Sequence, residues 1–180
     1  MAAYEYQPLD TNKPSIRLLK ILKGNLGDDI QCELIEGWIE ESIPYDALSY
    51  TWGNTRKPAT ITVDGTAMDI TLNAYEALQQ IRSKYESRYL WIDAICINQD
   101  DHKERGYQVL QMGHIYRNAE RVVIWLGEGT KETDLIMDSM KPLHQIFTKK
   151  EAGCYEGMEL LSSRPWFRRI WILQEIANAR

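Results

Sequence analysis

The stretch YLWIDAICINQDDHKERGYQVLQMGHIYRNAERVVIWLG, residues 89–127, decides the fold. It opens on a nearly continuous apolar run, YLWIDAICIN (89–98), as a strand covered on both faces requires. Polar NQDDH follows, where Asp100 or Asp101 can cap a helix. Val109, Met112, Tyr116 and Ala119 then recur at helical spacing and give that helix an apolar stripe. RVVIWLG (121–127) is a second apolar strand, closed by a glycine. Strand, helix, strand within about 40 residues is a βαβ unit, the crossover of a parallel sheet.

Upstream, IRLLKIL (16–22) and IQCELIE (30–36) flank the turn-rich GNLGDD and predict an antiparallel hairpin. YDALSYTWG (45–53) carries a short buried strand from Ala47 to Tyr50, ended at Gly53-Asn54. ATITV and TAMDI flank Asp64-Gly65, a strong hairpin signal. Asn73 with Glu76 resembles a capping box, and Ala74, Leu78, Ile81 and Tyr85 share the face of the helix it would start. Downstream, a helix is expected over 133–147, kinked at Pro142, and another over 155–161. A last helix is expected from Ser162 or Ser163, with Pro165 in its first turn. The fold class that follows is α/β: a parallel sheet of strands near 47–50, 90–97 and 121–126, helices on both faces, and two added β-hairpins at one edge. The whole chain, 1–180, reads as one domain with its core at about 45–176 and an N-terminal hairpin at 16–36. Its end, in or just past a helix, is that expected of a fragment of a longer protein.

Composition narrows the function classes. Apolar residues make up 44% and charged residues 26%, as in a globular protein, and the net charge of −5 argues against a phosphate-binding nucleic-acid surface. Cys32, Cys96 and Cys154 are too few and too widely spaced for a zinc pattern or a disulfide framework, which points to a reducing, cytoplasmic setting with no metal. No apolar run approaches the ~18 residues of a membrane span, and MAAYEYQPLD lacks the regions of a signal peptide.

Ligands of open parallel sheets bind at the carboxyl ends of strands. Those ends carry Ser49-Tyr50-Thr51-Trp52-Gly53, then Asn98-Gln99-Asp100, then Gly127-Glu128. The closing stretch RIWILQEIANAR (169–180) adds one acid to a mostly apolar helix, Glu175. On a helical wheel Trp166, Ile170, Leu173 and Ala177 share a face, read as the core side, while Phe167, Trp171 and Glu175 fall on an adjacent flank. From the helix alone, Glu175 is either a solvated surface charge or a part-shielded acid beside two rings.

YDALSYTWG, the 90–127 block and RPWFRRIWILQE, in that order, resemble the fungal heterokaryon incompatibility (HET) domain. The resemblance implies a cell-death effector of filamentous fungi, triggered when genetically different individuals fuse, acting with an incompatibility partner protein. HET domains in turn resemble Toll/interleukin-1 receptor (TIR) domains, which have a flavodoxin-like sheet. ALSY is similar to the first TIR strand, LWIDAICI to the second and RVVIWLG to the third. WILQE is similar to the TIR pattern of a Trp followed four residues later by a catalytic Glu. That implies an enzyme that splits NAD⁺ into nicotinamide and ADP-ribose on self-assembly as a homo-oligomer, with Glu175 as catalyst, Trp171 as its neighbour and no permanently bound cofactor. Ser49, Tyr50, Trp52, Gly53, Asp93, Asn98 and Trp171 become substrate-binding candidates, with Trp52, Tyr50 or Trp171 available to stack on the nicotinamide. The alternative is a non-enzymatic module that signals through protein contacts.

Other residues have plainer readings. Asp93, inside an apolar strand, needs partners; it either anchors a neighbouring element or lines the site. Asn98 and Gln99 suit a turn as well as ribose contacts. Cys96 reads as a small core residue, since neither His102 nor His114 pairs with it recognisably. Trp91 and Trp125 read as core, and Arg117, Arg121, Arg168 and Arg169 as solvated surface.

Overall fold

Alternation and turn chemistry build most of the sheet. In the computed structural model, which describes residues 4–10, 12–41, 43–54, 56–140 and 153–177, strands β1 (Ser15–Ile21) and β2 (Gln31–Trp38) pair antiparallel, as the flanks of GNLGDD predict. β4 (Ala59–Val63) and β5 (Thr66–Ile70) form the second hairpin. Its turn residues Asp64 and Gly65 both take positive φ, 49° and 76°. Two such residues in succession match the right-handed twist of the flanking strands.

Three neighbouring strands form a parallel trio, and β2 also pairs parallel with β4. β3 (Asp46–Tyr50) lies between β6 (Arg88–Trp91) and β7 (Arg121–Trp125) and is parallel to both. The full order is β5-β4-β2-β1-β6-β3-β7, one mixed seven-stranded sheet with both hairpins on the same side of the parallel trio. β3 is buried along its whole length. β7 ends the sheet and is half-buried, with Ile124 exposed, so it is less covered than its apolar sequence suggests.

Two expectations in this region need correction. The apolar run 89–98 is not one strand: β6 stops at Trp91, and Asp93–Cys96 turn into a short helix, α2. Asp93 therefore heads a helix rather than interrupting a strand. Continuous apolarity cannot distinguish the two, because both are buried. The helix α1 (Leu72–Ile81) is capped not by Asn73 but by Thr71, whose hydroxyl accepts from the Ala74 amide at 3.4 Å. Ala74, Leu78 and Ile81 face the core, but Tyr85 lies beyond the helix and is exposed.

Helix α3 (His102–Asn118) follows the predicted pattern. Asp101 caps it, accepting from the amides of Lys103 and Glu104 at 2.8 and 3.1 Å. Met112, Tyr116 and Ala119 are buried and Val109 packs against the core. The same helix also buries Glu104, which meets Arg17 of β1 through both carboxylate oxygens at 2.5 and 2.9 Å. Arg17 further donates to the carbonyls of Cys96 and Gln7, so one buried guanidinium ties β1, α2, α3 and the N-terminal segment together.

The described residues divide into two compact units. One holds the sheet, α1 to α3 and the last helix, α6 (Ile172–Ala177); the other is Leu126–Ile170. The second unit consists of α4 (Lys131–Met140), α5 (Gly153–Ser162) and a 3₁₀ turn at Pro165–Arg168. α4 and α5 approach closely at Gly157, where a Cβ would stand 2.7 Å from the Glu132 carbonyl oxygen. The expected helix over 133–147 is described only as far as Met140, and Pro142 and Cys154's side chain lie outside the described residues.

The predicted final helix is two pieces. Pro165 starts the 3₁₀ turn, the helix breaks after Arg168, and α6 begins afresh at Ile172. The wheel drawn through both pieces therefore holds for Trp166, which is buried, and fails beyond it. Ile170 and Leu173, assigned to the core, are 86% and 80% exposed, and Ala177 is exposed too. Glu175, assigned to a margin, is completely buried.

Candidate functional site

A buried acid sits against the central parallel strand. α6 packs on α3, and its only acid, Glu175, turns inward. Side chains of a strand alternate between faces, and Ser49 is the penultimate residue of β3. The Ser49 hydroxyl donates to Glu175 Oε2, closing a contact between residues 126 positions apart. Both side chains are sealed from solvent, at 0% exposure. The Glu175 amide donates to the Trp171 carbonyl at 3.1 Å, so Trp171 supplies the helix's leading acceptor while its ring stays half-exposed. A buried carboxyl group must find hydrogen-bond donors, and here a serine of the sheet is one.

The other candidates gather around the loop that leaves β3. Thr51's carbonyl accepts from the Asn73 side chain of α1 at 3.0 Å. Gly53 takes φ +69° and lies so close to Asn73 that a Cβ would come within 2.7 Å of its amide nitrogen. Glycine is the residue that fits both demands. The Trp52 indole N–H points at the Asp93 carboxylate, 3.1 Å from Oδ1 and 3.0 Å from Oδ2. Asp93 also accepts from the Ala94 amide at 2.7 Å, and its carbonyl accepts from Gln99 at 2.8 Å. The ring of Trp52 remains 38% exposed.

The structure thus brings Ser49 to Glu175 and Trp52 to Asp93, one pair on β3 and one just past its carboxyl end. Tyr50 is fully buried, which places its ring in the core rather than on a surface where a ligand could stack. Asn98 behaves as a turn residue: its Oδ1 accepts from the Asp100 amide at 3.2 Å and its own amide donates to buried Glu104 at 2.7 Å. Arg121 is exposed, as expected, and from there makes a bidentate pair with buried Asp46 at 3.0 and 2.8 Å. Trp91 is core, and Trp125 is partly buried against it. Cys96 is fully buried and burial pushes its thiol up to about 12, as for a structural cysteine. No group of three or more potential metal ligands occurs among the described residues.

Sequence reasoning missed Asn73's grip on the site loop and the Arg17–Glu104 pair. Arg17 did leave a trace, a lone arginine at an inward position of the apolar strand IRLLKIL. Asn73 left none, because a helix-capping role explained it locally.

The family model described as "Heterokaryon incompatibility protein (HET)" matches residues 45–175. The chain belongs to the HET family. That span runs from the residue before β3 to the buried acid, so it contains both pairs. The chain is also similar to "Heterokaryon incompatibility protein 6, OR allele" of Neurospora crassa, 29% identical over 226 aligned residues that cover 96% of this chain and 33% of the relative. The HET chain therefore spans about a third of that curated relative's length. No solved structure matches it.

Proposed function

We propose that this chain is a fungal incompatibility effector domain that hydrolyses NAD⁺ to nicotinamide and ADP-ribose, with Glu175 as the catalytic carboxylate. The observation that carries the reading is the Glu175–Ser49 contact: a completely buried carboxyl group held against the central strand of a parallel trio. The strand order supports it. Within the parallel trio β6-β3-β7 is second–first–third in chain order, the order of flavodoxin-like sheets, whose ligands sit at strand carboxyl ends. Membership of the HET family and similarity to a relative named for heterokaryon incompatibility support the cellular role.

The chemistry suits one carboxylate. The nicotinamide–ribose C–N bond breaks, its electron pair neutralises the pyridinium nitrogen, and an oxocarbenium-like centre forms at the ribose, as in glycoside hydrolysis. Water's oxygen then bonds to that carbon and a proton is released. Nicotinamide leaves as a neutral group and needs no acid. Glu175 holds the ribose hydroxyls and offsets the cation, and Ser49 holds the carboxylate in the resting protein. NAD⁺ is a substrate here, consumed in a cytoplasmic setting.

The test is nicotinamide release from NAD⁺ by concentrated or clustered protein. Wild type releases it, and Glu175→Gln, with unchanged circular dichroism, loses at least about a hundredfold. Equal inertness of the two proteins when clustered would sink the enzymatic reading.

A second reading draws on the outer side of α6. Trp171, Leu173 and Ile176 are exposed while the acid is inside, the reverse of an ordinary surface helix. Such a face suits contact with another copy or an incompatibility partner, and it supports signalling by assembly, with or without turnover. Leu173→Glu separates the two: loss of toxicity and of self-association, with the Glu175→Gln protein still toxic, identifies a contact module.

A further inference from the structure

We infer that Asp93 is a positioning residue, which fixes the Trp52 indole as a stacking platform for a planar, cationic heteroaromatic ring. The inference rests on the reading of the β3 carboxyl end as the substrate end, and identifies the ring as the nicotinamide of NAD⁺. Four observations meet there. Trp52 is a large aromatic left 38% exposed where the central strand ends. Its N–H bisects a carboxylate, at 3.1 and 3.0 Å from the two oxygens, which pins the N–H edge of the ring. That carboxylate is itself anchored: Asp93 begins α2 and accepts from the Ala94 amide, and its backbone is held by Gln99. The loop carrying the ring is clamped from the other side, through Asn73 on Thr51 and the close fit of Gly53.

The electrostatics favour a cation. An indole face is already negative, and Trp is the best of the side chains at binding cations. A carboxylate accepting the N–H pushes electron density into the ring system and deepens that potential. A mobile exposed tryptophan would lose conformational entropy on stacking; this one has been immobilised beforehand, so a ligand gains the contact without that penalty. Asp93 thus acts through Trp52 and need not touch the ligand.

The experiment uses 1-methylnicotinamide, a permanent cation, and nicotinamide, its neutral counterpart of similar shape. The readout is the Trp52 indole N–H resonance, assigned by its absence in Trp52→Phe. In wild type, 1-methylnicotinamide shifts that resonance saturably and binds roughly tenfold more tightly than nicotinamide. Asp93→Asn removes most of that preference. In Trp52→Phe, which keeps a ring but lacks the N–H and whose binding is therefore read by calorimetry, Asp93→Asn changes nothing further. A Trp52 resonance unmoved by either probe overturns the platform. So does an Asp93→Asn effect of equal size with and without the indole N–H, since that would mean direct contact between the carboxylate and the cation. Turnover separates this proposal from the one beneath it. Protein that binds the probe at Trp52 but releases no nicotinamide keeps the platform and loses the hydrolase. Protein that hydrolyses NAD⁺ with an unmoved Trp52 keeps the hydrolase and loses the platform. Where turnover is present, Asp93→Asn raises KM by the same factor and leaves kcat in place.

Discussion

Single side chains carry most of what is distinctive here. Ser49 contributes a hydroxyl to a carboxyl group that no water reaches, so its removal leaves a buried acceptor short of a donor. Ser49→Ala should lower unfolding free energy by about 1–3 kcal/mol, measured by urea denaturation. A variant as stable as wild type would show that the contact is dispensable to the fold. The cysteines make a pH-dependent prediction. Burial raises the thiols of Cys32 and Cys96 from 9.0 to about 12. The folded state thus prefers the protonated thiol, so both cysteines add stability below the ordinary thiol value and lose it as pH climbs through 9.0 toward 12. In the folded protein their alkylation by iodoacetamide should stay negligible at about pH 8 and become complete in denaturant, as peptide mapping will show. Reactivity of Cys96 in native protein would contradict the packing around it.

At the scale of elements, local chemistry was legible and distant pairing was not. Asp64-Gly65 announced its hairpin because a turn with two positive φ values admits few residues. The α3 stripe and the Asp101 cap could be read because helical spacing repeats every turn. The split of 89–98 into β6 and α2 could not, because a run buried on all sides shows no period. α6 was misread for a different reason. A wheel assumes one continuous axis and an apolar core face, whereas the break after Arg168 reset the phase and the interior claimed the acid. Nothing near residue 175 names Ser49 as its partner; that contact exists only once β3 and α6 are assembled. The Arg17–Glu104 pair is a similar long-range bond, and removing one partner strands a charge. Glu104→Ala should cost about 3–5 kcal/mol, read as a lower denaturation midpoint. A loss below about 1 kcal/mol, the range of exposed pairs, would show that water reaches the pair.

For the whole molecule, the sheet order sets the distribution of stability. β1 lies between two antiparallel partners and β3 between two parallel ones, and both are buried along nearly their full length. β5 ends the opposite side of the sheet, with only Met68 and Ile70 buried. Amide hydrogens of β1 and β3 should exchange only on global unfolding, and those on the unpaired side of β5 far sooner. Equal protection of β5, measured by hydrogen exchange, would mean that this border is covered in solution. The sealed carboxyl group of Glu175 has its own implication on the proposed reading. A dinucleotide cannot touch a group that water cannot, so the resting protein would be silent, and its rate would scale with the fraction of molecules in which α6 has swung away. Each weakening of that helix's seat by about 1.4 kcal/mol would then raise output tenfold until the acid lost its alignment. Substitutions that slightly loosen the domain could therefore make it more lethal to its host rather than less.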